Sequence, residues 1–75
     1  MTIDVGVATP PHREEAVAEL RIHHESGGLS IPAEIFREHS KLMIAIYRPN
    51  GGIAWEFRIA DFLIALGRGV EIMEQ

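Results

Sequence analysis

The chain of 75 residues contains no cysteine, which excludes disulfide staples and thiolate metal sites, two devices that secure many domains of this size. Aromatic content is low, with one tryptophan, one tyrosine and three phenylalanines, so few large anchors are available to fill a core. Positive charge is not in excess either. Seven Lys and Arg against eleven Asp and Glu give −4 with His neutral, so no diffuse attraction to phosphate or anionic lipid follows, although a locally basic face stays open. No apolar run approaches the roughly 18 residues of a membrane span, and Met1-Thr2-Ile3-Asp4 lacks the basic segment and apolar stretch of an export signal. These absences predict a cytoplasmic location and no membrane partner. Residues 1–75 read as one domain, and a domain this small buries only about 60–65% of the surface its unfolded chain exposes. With no staple, association with a second chain is the remaining route to extra stability.

What is present begins with an alternation. Ile3, Val5 and Val7 alternate with Thr2, Asp4, Gly6 and Ala8, the period of a half-buried strand, which Thr9-Pro10-Pro11 should end. Thr9 as an N-cap, prolines in the first turn, and Glu14 and Glu15 near the positive end of the dipole predict a helix over residues 11–24. Its apolar stripe is Ala16, Val17 and Leu20, with Ile22 off the stripe, and Ser26-Gly27-Gly28 terminates it. Residues 29–31 read either as a short strand or as the lead-in to a helix. Ser30 as a cap and Pro32 in a first turn favour a short helix over residues 32–39, with Ile35 and Phe36 toward the core and Glu34, Arg37 and Glu38 in water.

Residues 42–59 form two hydrophobic runs joined by Pro49-Asn50-Gly51-Gly52, the pattern of a β-hairpin with a type I′ turn at Asn50-Gly51. The turn sets Ile46 against Trp55, Ile44 against Phe57 and Leu42 against Ile59 on a wholly apolar face. The second face carries Met43, Ala45 and Tyr47 opposite Ala54, Glu56 and Arg58. Its mixture of aromatic, methionine and arginine side chains has the character of a protein interface, unless a helix of the same chain covers it. Asp61 is placed to cap a short helix over residues 62–66 that Gly67 would end, and Val70 and Ile72 alternating with Glu71 and Met73 predict a weak final strand. The expected class is α+β, a small antiparallel or mixed sheet of three or four strands in the order β-α-α-β-β-α-β. Without the short helix this becomes β-α-β-β-α-β, the ferredoxin-like order, although the segment 62–66 is short for a crossover.

No constellation for catalysis emerges. His12 with Glu15, and His23, His24 and Glu25, invite a metal reading, but adjacent residues on a helix point about 100° apart and no single face offers three ligands. Ser26, Ser30 and Ser40 lie in turn or cap contexts, with no nucleophile elbow around them. Gly27-Gly28 and Gly67-Arg68-Gly69 have no phosphate-loop lysine and no dinucleotide spacing, so helix termination accounts for them. Glu14, Glu15, Glu19, Glu34 and Glu38 read as solvated helix faces. Neither a cofactor nor a metal is expected, and a non-enzymatic chain follows.

The stretch Gly27-Gly28-Leu29-Ser30-Ile31-Pro32-Ala33-Glu34-Ile35 resembles the glycine-x-hydrophobic-x-isoleucine-proline-x-glutamate-isoleucine signature of swapped-hairpin AbrB and MazE-type regulators. The resemblance implies a dimeric DNA-binding regulator or antitoxin. It covers nine residues, departs at Gly28 where the family usually carries a basic residue, and lacks the turn that follows in the family.

The leading expectation from the residues is a small self-associating module, a dimer that also engages a protein partner. Its candidate interface is Met43, Tyr47, Arg58, Phe62, Leu63, Ile64 and Leu66, because the apolar residues after Asp61 surround their helix and cannot all face one side. DNA binding by the regulator-like alternative and a small-molecule-binding ferredoxin-like dimer are the other two expectations.

Overall fold

The structure, a computed structural model, describes residues 2–49 and 58–74. Among the described residues four strands, β1 (Thr2–Ala8), β2 (Val17–His23), β3 (Leu29–Glu38) and β4 (Lys41–Ile46), precede one helix, α1 (Ile59–Glu74). The strands form an antiparallel meander in the order β1-β2-β3-β4, and α1 packs across β1, β2 and β3 on one face. The α+β class agrees with the sequence, but the element order does not.

β1 takes the form expected along its whole length, and the first arm of the expected hairpin is β4. The helix expected over residues 11–24 is a connection followed by β2, since Ala18, Leu20 and Ile22 also alternate with Glu19, Arg21 and His23. That period-two pattern prevails because β1 and β3 pair with it on both sides. Likewise the helix expected over residues 32–39 is the second half of β3, where Ala33 and Ile35 are buried beneath α1. Pro32 is accommodated at a bulge: Leu20 pairs with Ala33 and Ile22 with Ser30, so Arg21 alone faces Ile31 and Pro32. A proline there costs the ladder no donor that it needs, while its carbonyl accepts from the Tyr47 amide at 2.8 Å.

β4 pairs with β3 from Ala33↔Ile46 to Glu38↔Lys41. His39 and Ser40 close this hairpin with φ of 50° and 66°, the left-handed pair of a type I′ turn built without glycine. The expected turn at Asn50-Gly51 and the pairs involving Trp55 and Phe57 lie outside the described residues. The pair Leu42 with Ile59 does not form, because Ile59 opens α1.

α1 is longer than expected at both ends. Asp61 lies within the first turn and complements the dipole there, so it is not the cap. Gly67 does not stop the helix, and residues 70–73 continue it without forming a strand. The reason is a stripe at helical spacing: Phe62, Ala65, Leu66, Gly69, Val70 and Met73 all meet the sheet. Ala65 and Gly69 let the helix approach closely, and a Cβ on Gly69 would stand 2.6 Å from Ile35 Cδ1. At its C-terminal end Arg37 of β3 donates to the Met73 carbonyl, supplying the cation that the last turn lacks. The ferredoxin-like order is therefore replaced by β-β-β-β-α among the described residues.

Candidate functional site

The alternation that buries one face of the sheet under α1 sends Glu19 and Arg21 of β2, and Glu34 and Phe36 of β3, to the opposite face. Glu19 and Glu34 stand directly across from each other, an arrangement that repels unless each carboxylate is neutralised. Two arginines do this. Arg21 donates through Nε and Nη2 to Glu19 Oε1 at 3.2 and 3.0 Å, and its guanidinium lies over Gly6, where any Cβ would overlap it. Arg13, on the connection between β1 and β2, donates through Nε to Glu34 Oε1 at 2.7 Å and places its guanidinium carbon 3.7 Å from the centre of the Phe36 ring. His12 Nε2 lies 3.1 Å from the same Glu34 oxygen and 3.2 Å from the Tyr47 hydroxyl, with the two rings edge to face.

Glu34 is only 1% exposed. Burial by itself would raise its carboxyl, but hydrogen bonds from Tyr47, Arg13 and His12 and the charge of Arg13 outweigh it and hold the group below the ordinary carboxylate range. The hydrogen bond to Glu34 raises Arg13, and burial followed by the nearby carboxylate pushes Tyr47 up. The carboxylate is thus ionised near neutral pH and satisfied by partners within the chain. The cluster acts as a latch that ties the 9–16 connection to β3 and to the end of β4. Beside it lies an open cleft of about 350 Å³ lined by Arg13, Glu14, Glu15, Phe36, Arg37 and Glu38, whose mixed charges produce no field of one sign to gather a ligand.

The other face has the opposite character. Ile44 and Ile46 pair with Ile35 and Ala33 and so point to the side that α1 occupies, yet they remain 42% and 71% exposed. On α1, Ile59, Leu63 and Ile64 are 77%, 58% and 64% exposed. Ile64 borders a groove shared with the start of β1, whereas Leu63, about 100° around the helix, lies on the flank toward β4.

Of the residues expected at an interface, Phe62 and Leu66 pack half-buried against the core, and Leu63 and Ile64 are exposed on opposite flanks. Arg58 is exposed just ahead of α1. Met43, across from Phe36, and Tyr47 lie on the face away from the helix. The structure therefore divides these seven residues among the core, the two helix flanks, the latch face and the segment just ahead of α1.

The latch is what the sequence concealed: Glu19 and Glu34 are buried, where solvated positions were expected. One signal was available for Glu34, the only charge in the run Leu29-Ser30-Ile31-Pro32-Ala33-Glu34-Ile35-Phe36; a lone carboxylate in an apolar segment needs partners. The chain matches no protein-family model, and no curated protein or solved structure is detectably similar to it. The nine residues that resemble the swapped-hairpin regulators form the end of the β2–β3 turn and the first part of β3. No described helix is long and apolar enough to cross a membrane.

Proposed function

We propose that this chain is a small self-associating interaction module whose contact surfaces are the two flanks of α1. The observation that supports this reading is the incomplete burial of the helix: after α1 has packed one stripe on the sheet, Ile59, Leu63 and Ile64 are still mostly exposed. Side chains of this size left exposed on both flanks, with Ile44 and Ile46 exposed on the same side of the sheet, are apolar surface of the type that marks interaction sites. The latch face supports the same reading by contrast, because its two buried carboxylates are paired within the chain. Arg13 and Arg21 are committed to Glu34 and Glu19 and, on the helix side, Arg37 to a carbonyl, which withdraws three of the seven cations from a nucleic-acid surface.

Sedimentation equilibrium over a concentration series tests the reading. The expected result is a reversible dimer whose population rises with concentration, and Ile64→Glu should shift it toward a folded monomer. A parent chain that stays monomeric up to about 100 µM, far above a micromolar dissociation constant, contradicts it.

A further inference from the structure

The flank of α1 beside β1 is complementary to itself. A groove of about 240 Å³ separates the start of β1 from the helix, and Asp61, Ile64 and Arg68 line its helical side. These three follow one another at spacings of three and four residues, so they form one line along the helix: acid, isoleucine, base. Asp61 and Arg68 are two turns, about 10 Å, apart, too far to pair with each other. Both are exposed, and among the described residues neither takes part in an ion pair or side-chain hydrogen bond.

A line with this order matches a copy of itself turned through 180°. An antiparallel second copy sets Asp61 against the partner's Arg68, Arg68 against the partner's Asp61, and the two Ile64 side chains between them; a parallel copy would set acid on acid and base on base. The outer edge of β1 lies beneath the line and is unpaired among the described residues. The same rotation brings the starts of the two β1 strands edge to edge, about 4.8 Å apart. Because α1 packs across β1, β2 and β3 on one face, the two helices then lie antiparallel on the same face of the joined sheets, with the long Arg68 side chain spanning toward the partner's Asp61. Resting on the self-association reading, we propose that the chain pairs with a second copy of itself through this flank, in a two-fold contact centred on Ile64 and oriented by two Asp61 to Arg68 ion pairs. The β4 flank is then left for a different protein.

The test uses two full-length variants, Asp61→Arg and Arg68→Asp, in sedimentation equilibrium separately and mixed in equal amounts, with circular dichroism to verify folding. Each alone places like charges together twice and should dimerise about ten-fold more weakly than the parent. Mixed, the two restore both ion pairs, and the mixture should recover dimers at close to the parental affinity. The neutral variants Asp61→Asn and Arg68→Gln should retain a weaker dimer that has lost its salt dependence. Variants that dimerise like a dimeric parent, or a mixture of folded variants that shows no recovery, overturn this assignment while leaving self-association through another surface standing. A monomeric parent overturns both. Binding of unrelated extended peptides at β1 with no recovery on mixing would identify the edge as a peptide site and also overturn the two-fold contact.

Discussion

The two faces of the sheet handle burial in opposite ways. On the helix side the contact is apolar and close, with Ala18, Leu20, Ala33 and Ile35 meeting Ala65 and Gly69. A helix is about 10 Å across, however, and the centres of the outer strands in a four-stranded sheet lie about 14 Å apart. One helix seated over β1, β2 and β3 therefore leaves Ile44 and Ile46 of β4 uncovered and exposes its own flanks. On the far face no second element covers the sheet among the described residues, and its two buried carboxylates are closed by pairing: Glu19 has Arg21, Glu34 has Arg13, and a short connection is drawn over β3 by Arg13 and His12. Apolar burial requires a cover as wide as the sheet, whereas a polar cluster satisfies itself in place. Among the described residues the larger exposed apolar surplus, Ile44, Ile46, Ile59, Leu63 and Ile64, is thus on the helix side.

Truncation at the centre of each face compares them directly. Leu20 is fully buried, and Leu20→Ala should cost about 3–5 kcal/mol, enough to unfold much of the population in a urea titration. Glu34→Gln keeps the volume but removes the charge that Arg13 and His12 address, and should cost about 1–3 kcal/mol because Arg13 retains access to water. Equal losses would mean that the latch is as much a core as the apolar side.

The pH dependence sharpens the same contrast. The Glu34 carboxyl in the folded chain lies below the ordinary 4.5, so as pH falls the unfolded chain takes up that proton first. The stabilisation from the latch is complete above the ordinary value and is lost as pH drops from there through the native one. Urea midpoints measured from about pH 7 to about pH 3 should fall for the parent and fall less for Glu34→Gln. Parallel acid limbs would remove Glu34 as their cause.

Smaller effects belong to the backbone. His39 and Ser40 hold positive φ at a cost of about 1–2 kcal/mol each, so the pair His39→Asn with Ser40→Gly should raise the thermal midpoint. Gly67→Ala adds a Cβ that meets nothing within 4 Å and should stabilise the helix by about 0.5–1 kcal/mol. The same change at Gly69 drives a Cβ against Ile35 and should give no gain or a loss. Identical responses at the two glycines would contradict the close approach of α1.

These residues also explain how much could be read from the chain. β1 was legible because nothing competed with its alternation. β2 was not, since Ala16, Val17 and Leu20 satisfy a helical stripe while Ala18, Leu20 and Ile22 satisfy a strand, and pairing on both sides decides between them. Pro32 imitated a helix start, because a bulge that tolerates proline depends on the register of two other strands. The β3–β4 turn carries no glycine to announce it, and the two glycines in α1 looked like punctuation although one of them is a contact. For the site, exposed Leu63 and Ile64 followed from an all-round apolar helix. The latch did not, because it joins His12, Arg13, Glu34 and Tyr47 across distances that no local pattern encodes.

The claim that the surplus lies on the helix side is tested most directly by recording amide proton and nitrogen spectra of the parent across about a hundred-fold dilution. Concentration-dependent shifts should gather on α1 around Asp61, Ile64 and Arg68 and on the start of β1, while Glu19, Glu34 and their neighbours stay fixed. Spectra unchanged by dilution, or shifts centred on the latch face, would contradict the account.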